Sequence, residues 1–401
     1  MSGISLLKGH PSDHMNETTI RILHTADWHL GREFHGRDLT SLHQHFFDWL
    51  AGEVERREID VLVMAGDIYD RALPPVGAVS MLNRELNRLA DLTRLVLITG
   101  NHDSTARMGH GSLLRKEIEL RAGIERLGEP VMIDDFEFAL AIYPIPYLDP
   151  VTSANELDLD ESTHQSVLTE AADRCRSDLA SRGETRSIAI GHAFVTGAEV
   201  SDSERSVRVG GSESVAVPVF EGFDYVALGH LHRPQRVGAN ARYAGSPLPL
   251  SYSEVGVGEP KSVTVVELSA DGTLTDQQVE IPQQVQMARV SGTLEELLND
   301  PDLEDKRDWW LEITLTDELR PSEPKDRLRS RFSNIVQLRL TAPVSSGPGI
   351  PPEELERLAR SDPSELVAAF LKEVRGAGPS VEEAALIEEA LEEKTAEEVN
   401  S

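Results

Sequence analysis

The stretch from Asp60 to Asp67 reads DVLVMAGD. Val61 to Ala65 is apolar without alternation, the pattern of a strand buried on both faces. Gly66 and Asp67 then set a turn and a carboxylate at the strand's carboxyl end, where open α/β sheets bind their ligands. The pattern repeats outward from this stretch. Ile20 to Leu23 (IRIL) precedes it, and Arg94 to Thr99 (RLVLIT) follows. Phe138 to Ile145, Ser187 to Ile190 and Tyr225 to Leu228 continue the series.

Helical patterns fill the gaps. Leu39, Leu42, Phe46, Leu50 and Val54 fall at spacings of three and four, as do Val76, Val79, Leu82, Leu86 and Leu89. Each set makes one apolar helix face. Strands alternating with helices predict an α/β domain with crossover connections, over residues 19–282. Residues 1–18 are expected to be a disordered extension. Residues 283–342 read as a small α+β capping module, 343–352 (a Pro/Gly/Ser run) as a linker, and 353–401 as helical. Asp362 with Pro363 and Glu365 predicts a capped helix start, and Gly376 its end.

Composition narrows the function classes. The chain has 401 residues, which suggests two or three domains at ~100–200 residues each. Cys175 is the only cysteine, so an internal disulfide is impossible and a cysteine-based zinc site nearly so. No apolar run approaches the ~18 residues of a membrane span, and Met1 to Thr18 lack the apolar core of a signal peptide. The expected location is the cytoplasm. Sixty-nine acids against 39 bases give a net charge of −30. That disfavours general polyanion binding, unless a local basic patch or bound metal ions carry the positive charge.

The chemistry gathers at strand ends. Asp27 and His29 follow the first strand, Asp67 the second, and Asn101, His102 and Asp103 the third. His192 follows Ile190, and His230 and His232 follow Leu228. Oxygen and imidazole donors without thiolate suit Mn²⁺, Fe²⁺ or Zn²⁺. Seven donors (Asp27, His29, Asp67, Asn101, His192, His230, His232) are too many for one ion and enough for two sharing a bridge, with Asp67 the natural bridge. Such a pair serves in-line displacement at phosphorus. His35, His43, His45, His110 and His164 read as helix or loop surface, His10 and His14 as tail, and His24 as core or a supporting position.

These motifs resemble the calcineurin-like metallophosphoesterase signature: Asp27-x-His29, Gly66-Asp67, Gly100-Asn101-His102-Asp103, Gly191-His192 and Gly229-His230-Leu231-His232. The run from Ile22 to Gly31, Pro144 to Tyr147, Ala227 to Arg233 and Gly245 to Tyr252 is similar to the SbcD family of bacterial nuclease subunits. The resemblance implies a layered α/β sandwich with a small α+β capping domain and C-terminal partner-binding helices. It implies two divalent ions, Mn²⁺ by family habit. Asp27, His29, Asp67 and His232 would hold one, and Asp67, Asn101, His192 and His230 the other. His102 would stabilise the transition state or protonate the leaving oxygen, and Asp103 would orient it. Eukaryotic and archaeal relatives carry a histidine three residues after the bridging aspartate. Here that residue is Asp70, which reads as a turn or supporting acid.

The implied activity is 3′→5′ exonuclease on double-stranded ends and endonuclease on single strands, in DNA repair and recombination. The implied partners are DNA, an SbcC-type SMC-like ATPase, and a second copy of this chain. No GxxxxGK[ST] motif occurs, so the ATPase must be a separate polypeptide. Candidate DNA contacts are Arg32, Arg107 and Arg233 near the catalytic loops, and Lys325, Arg327, Arg329 and Arg331 in the capping module. Leu366, Phe370, Leu371 and Val374 form the candidate partner-binding stripe. Alternatives are another phosphoesterase on this fold, a phosphatase or cyclic phosphodiesterase, or a non-catalytic scaffold. The capping module and tail lean against small substrates, and the complete donor set against a scaffold.

Overall fold

The computed structural model describes residues 18–108, 115–183, 185–204, 214–256, 258–341 and 362–399. The extension expected at 1–18 lies almost wholly outside the described residues, as do the linker expected at 343–352 and His110. The chain divides into two compact units after Met287.

The first unit contains two six-stranded sheets. Strands β1 (Thr19–Thr25), β2 (Val61–Ala65), β3 (Arg94–Ile98) and β4 (Ile118–Arg121) run parallel. Helix α1 (Thr40–Arg56) connects β1 to β2, and α2 (Val76–Ala90) connects β2 to β3. The second sheet starts with β5 (Val131–Ile133) and β6 (Leu140–Pro144). After helix α3 (His164–Ser181) come β7 (Arg186–His192), β8 (Tyr225–Gly229), β9 (Gln235–Val237) and β10 (Ala241–Tyr243). Its order is β9-β10-β8-β7-β6-β5, parallel at the centre and antiparallel at both edges. Strands β11 (Ser262–Ser269) and β12 (Leu274–Glu280) return to complete the first sheet, β12-β11-β1-β2-β3-β4.

Three apolar layers explain why the strands lack alternation. Ile22, Val63 and Val96 of the first sheet meet Ile142, Ile188 and Ala227 of the second. The opposite face of the first sheet, with Leu23, Leu62 and Leu97, packs on Phe46, Leu50 and Leu82 of α1 and α2. Tyr143, Ala189 and Val226 likewise pack on Val167, Leu168 and Ala171 of α3. The result is a four-layer α/β/β/α sandwich. Each fully buried aliphatic side chain contributes roughly 1.5–3 kcal/mol. The central strands β2 and β8 approach closely at their carboxyl ends. A Cβ on Gly229 would lie 1.8 Å from the Ala65 carbonyl oxygen, so only glycine fits there.

The second unit holds a three-stranded sheet of β13 (Met287–Gly292), β14 (Trp310–Leu315) and β15 (Ile335–Leu340). Helices α4 (Leu294–Asn299) and α5 (Pro324–Arg329) cover it. Val290, Leu294, Leu311, Ile313, Leu328 and Phe332 form its core, and Trp309 packs against it. Helices α6 (Pro363–Arg375) and α7 (Val381–Val399) follow. The Asp362 carboxylate caps α6 by accepting the Ser364 N–H at 2.9 Å, and Gly376 ends it with φ +75°. Among the described residues no helix is long and apolar enough to cross a membrane.

Candidate metal centre

The donor side chains leave the sheets on strained turns. Asp27, His29, Asp67 and His230 have φ of 52°, 46°, 55° and 102°, half of the eight non-glycine residues with positive φ among the described residues. Such backbone costs on the order of 1–3 kcal/mol per residue and persists only where neighbours enforce it. Here the turns after β1 and β2 are laced together. Asp27 N–H donates to the Gly66 carbonyl at 3.0 Å, and His29 N–H to the Asp67 carbonyl at 3.0 Å. Gly100 lets the third loop close in, because a Cβ there would lie 2.2 Å from Asp67 Oδ1.

The structure brings all seven expected donors together, in two groups. Asp27, His29 and His232 place one donor atom each within 4.8 Å of one another, and Asp67, His192 and His230 do the same. His29 Nε2 lies 3.1 Å from His232 Nε2. Asn101 Oδ1 lies 3.0 Å from His192 Nε2 and 3.1 Å from His230 Nδ1. Asp67 Oδ2 stands between the groups, 3.6 Å from His29 Nε2 and 3.5 Å from His192 Nε2. Two donors bound at a right angle, each about 2.0–2.2 Å from one ion, are themselves about 3 Å apart. The observed spacings fit that geometry.

Electrostatics point the same way. Asp27 and Asp67 are 0% and 1% exposed, and Asp27 Oδ2 is buried without a hydrogen-bond partner. A buried carboxylate in that state calls for a cation. Burial pushes the Asp27 carboxyl up to about 7, despite His192 and His232 nearby. Asp67 is held well below the usual carboxylate range: burial opposes this, but His192 and His29 outweigh it. Against burial, Asp67 raises His192 to about 9. Burial drives His29 down to about 4 and His230 well below its ordinary value. His192 Nδ1 donates to the Ala65 carbonyl at 2.8 Å, which directs Nε2 toward Asn101 and Asp67.

Of the two residues expected to act on the substrate, His102 stands beside the donor set, whereas Asp103 does not orient it. His102 is half-buried, with its ring 4.8 Å from that of His29. Its Nδ1 lies 2.7 Å from the Asp70 carbonyl oxygen, so that oxygen holds the ring. Asp103 instead accepts the backbone N–H groups of Ile68, Tyr69 and Gly100 at 3.0, 2.9 and 2.9 Å. It ties the second and third ligand loops together. Asp70 pairs with Arg32 at 2.9 Å and approaches His29 Nδ1 at 3.6 Å. His43, expected at the surface, is buried and bonds the Trp28 carbonyl at 2.8 Å. His24 is core, between the Tyr225 hydroxyl and the Leu228 carbonyl.

Residues 20–234 match the family model of the calcineurin-like phosphoesterases. The chain is a member of the calcineurin-like phosphoesterase family. Residues 283–375 match the SbcD C-terminal domain model, described as the type 5 capsule protein repressor C-terminal domain. The two together mark this phosphoesterase as SbcD-type. It is thus a phosphoester hydrolase of a family that uses divalent metal ions, and its donor clusters suit that use. Two solved structures are similar in part. GAP50, the anchor in the inner membrane complex of Plasmodium, is 11% identical over 83% of this chain and 99% of its own, with a TM-score of 0.40. TT1561 of Thermus thermophilus is 9% identical over 65% of this chain and 99% of its own, with a TM-score of 0.37. Both likenesses are too weak to bear on fold or activity.

The candidate DNA contacts of this phosphoesterase divide. Arg107, Lys325, Arg327 and Arg329 are exposed, although Arg329 pairs with Asp326 at 3.1 Å. Arg32 is engaged by Asp70, and Arg233 by the Ser253 carbonyl. Arg331 corrects the sequence expectation. Its side chain is 8% exposed and donates to the Leu297 and Asp300 carbonyls, so it braces the small module from inside. Sequence spacing along a short helix did not reveal that inward turn. In the helical tail, Leu366, Phe370 and Val374 are exposed and Leu371 is half-buried.

Sequence reasoning missed Glu204, Glu254 and Lys261, which surround His232 and are almost fully buried. The available signal was weak. Glu254 stands two residues beyond the GSPLPLSY run, and Glu204 lies in a loop without a motif.

Proposed function

We propose that this chain is the nuclease subunit of an SbcCD-type assembly. It cleaves DNA phosphodiesters with two Mn²⁺ ions, 3′→5′ on duplex ends and endonucleolytically on single strands. Work on duplex ends is driven by ATP turnover in a separate SMC-like ATPase. The observation that carries this reading is Asp67 Oδ2, placed almost equally between the two donor groups. The SbcD-type C-terminal domain supports DNA as the substrate.

Bound there, two divalent ions would supply Lewis acidity and neutralise charge on the phosphodiester. The remaining work belongs to the chain. Asp27, His29, Asp67 and His232 would hold one ion, and Asp67, Asn101, His192 and His230 the other. With Nδ1 donating to the Asp70 carbonyl, His102 keeps Nε2 to hold a proton and release it to the leaving oxygen. Asp103 keeps that loop closed on the loop bearing Asp67. Exposed Lys325, Arg327 and Arg329 would meet phosphates without reading bases, which suits recognition of ends rather than sequence. Leu366, Phe370, Leu371 and Val374 would dock on the ATPase, and the working assembly would contain two copies of this chain.

The test is cleavage with Mn²⁺ of linear duplex, single-stranded circles, a nitrophenyl phosphodiester and a phosphopeptide, with and without the ATPase and ATP. Duplex degradation that requires ATPase and ATP supports the reading. Turnover confined to the phosphopeptide or the small diester would replace it with a phosphatase or a cyclic phosphodiesterase.

A further inference from the structure

His232 is gripped from three directions by groups outside the donor set. Its backbone N–H donates to Glu204 Oε1. Its carbonyl oxygen accepts from Lys261 Nζ at 2.7 Å. Its ring Nδ1 lies 2.7 Å from Ser203 Oγ, and that hydroxyl donates to Glu254 Oε1 at 2.7 Å. Glu254 Oε2 in turn accepts from Lys261 Nζ at 2.6 Å. The third Lys261 proton goes to Ser246 Oγ at 2.8 Å. A lysine ammonium has three donors, and here each has an acceptor.

Glu204, Glu254 and Lys261 are 4%, 7% and 7% exposed. Burying two carboxylates and an ammonium carries a desolvation cost that well-packed apolar residues of equal volume would avoid. Packing alone does not call for these residues. Directionality does. Because the Ser203 hydroxyl donates to Glu254, its oxygen accepts from the imidazole. The ring proton therefore sits on Nδ1, and the Nε2 lone pair faces His29 Nε2, 3.1 Å away. A carboxylate behind a metal-binding histidine fixes its tautomer and tilt in this way.

We infer that Ser203, Glu254 and Lys261 are positioning residues for His232, setting its Nε2 as a donor to the ion held with Asp27 and His29. The inference rests on the two-metal reading of the site. It predicts an asymmetry between the ions. His192, on the other side, is set by a backbone carbonyl, that of Ala65 at 2.8 Å, which no side-chain substitution removes. Damage to the Ser203–Glu254 relay should therefore weaken one ion and spare the other.

The experiment measures Mn²⁺ binding to the full chain by electron paramagnetic resonance, for the wild type and for Ser203→Ala, Glu254→Gln and Ser203→Thr. The wild type should bind two ions. Ser203→Ala and Glu254→Gln should weaken one of them by about 10–100-fold, leaving the other unchanged. Ser203→Thr, which keeps the hydroxyl, should restore it. Circular dichroism checks folding. If Glu254→Gln fails to fold because Lys261 is left unpaired, Ser203→Ala decides alone, since it leaves the Glu254–Lys261 pair intact. A folded Ser203→Ala that binds both ions like the wild type, or loses both equally, overturns the inference while the two-metal reading stands. A wild type that binds no Mn²⁺ overturns that reading and the inference with it.

Discussion

His29 Nε2 and His232 Nε2 face each other at 3.1 Å, although 203 residues separate them in the chain. Two bare imidazole nitrogens repel at that distance. The contact is held either by an N–H of one ring donating to the other or by a cation that both lone pairs meet, and Asp27 closes the third side of the same group. The two sheets meet so that this pocket and its counterpart around His192 share Asp67.

Asp67 should therefore matter to both ions. Asp67→Asn removes the shared charge while keeping the side chain's size. It should weaken Mn²⁺ binding at both positions and reduce phosphodiester cleavage by at least about 10³-fold. Equilibrium dialysis and a turnover assay with a chromogenic diester check this together.

His102 should separate metal binding from turnover. In His102→Asn the backbone N–H that donates to Asp67 Oδ1 at 2.9 Å remains. Both ions should still bind, while cleavage falls by about 10²–10⁴-fold, the usual contribution of a positioned proton donor. Unchanged cleavage would remove His102 from the chemistry.

Metal uptake should strengthen as pH rises. Without ions, Asp27 titrates at about 7 and His192 at about 9. His232 is raised as well, against burial, by Glu254 and Glu204. All three must be deprotonated to act as donors, so binding expels protons from neutral pH up to about pH 9. His29, at about 4, is already neutral there and adds none. Calorimetry in buffers of different ionisation enthalpy will count the protons released, and the count should fall toward zero above pH 9.

Acid should destabilise the first unit in part through two histidines outside the donor set, in addition to His29 and His230, which burial lowers in the same sense. Burial lowers His24 to about 3 and His43 to about 4, from an ordinary 6.5. Below 6.5 the unfolded chain takes up protons that the folded chain refuses, so their stabilisation is complete above 6.5 and declines toward pH 4. The slope is about 1.4 kcal/mol per pH unit for each histidine. Urea titrations of metal-free protein at pH 7, 6 and 5 should show it, and His43→Gln should flatten it by one proton.

The sequence made the donor set legible because each donor follows a strand whose unbroken apolar run is itself a strong signal. Val61 to Ala65 is apolar throughout because both faces are covered, one by the other sheet and one by helices. What stayed hidden was tertiary. Nothing local tells that β6, β7 and β8 leave the first sheet to build a second. Nor does spacing show that His43 turns inward to the Trp28 carbonyl, or that Arg331 braces two carbonyls instead of facing solvent. Glu254 and Lys261 lie at ordinary-looking positions whose meaning appears only once His232 stands beside them.

The most direct test is anomalous diffraction from crystals grown with Mn²⁺. Two peaks should appear, both in reach of Asp67, one beside Asp27, His29 and His232 and the other beside Asn101, His192 and His230. A single peak, or peaks that do not share Asp67, would contradict the account.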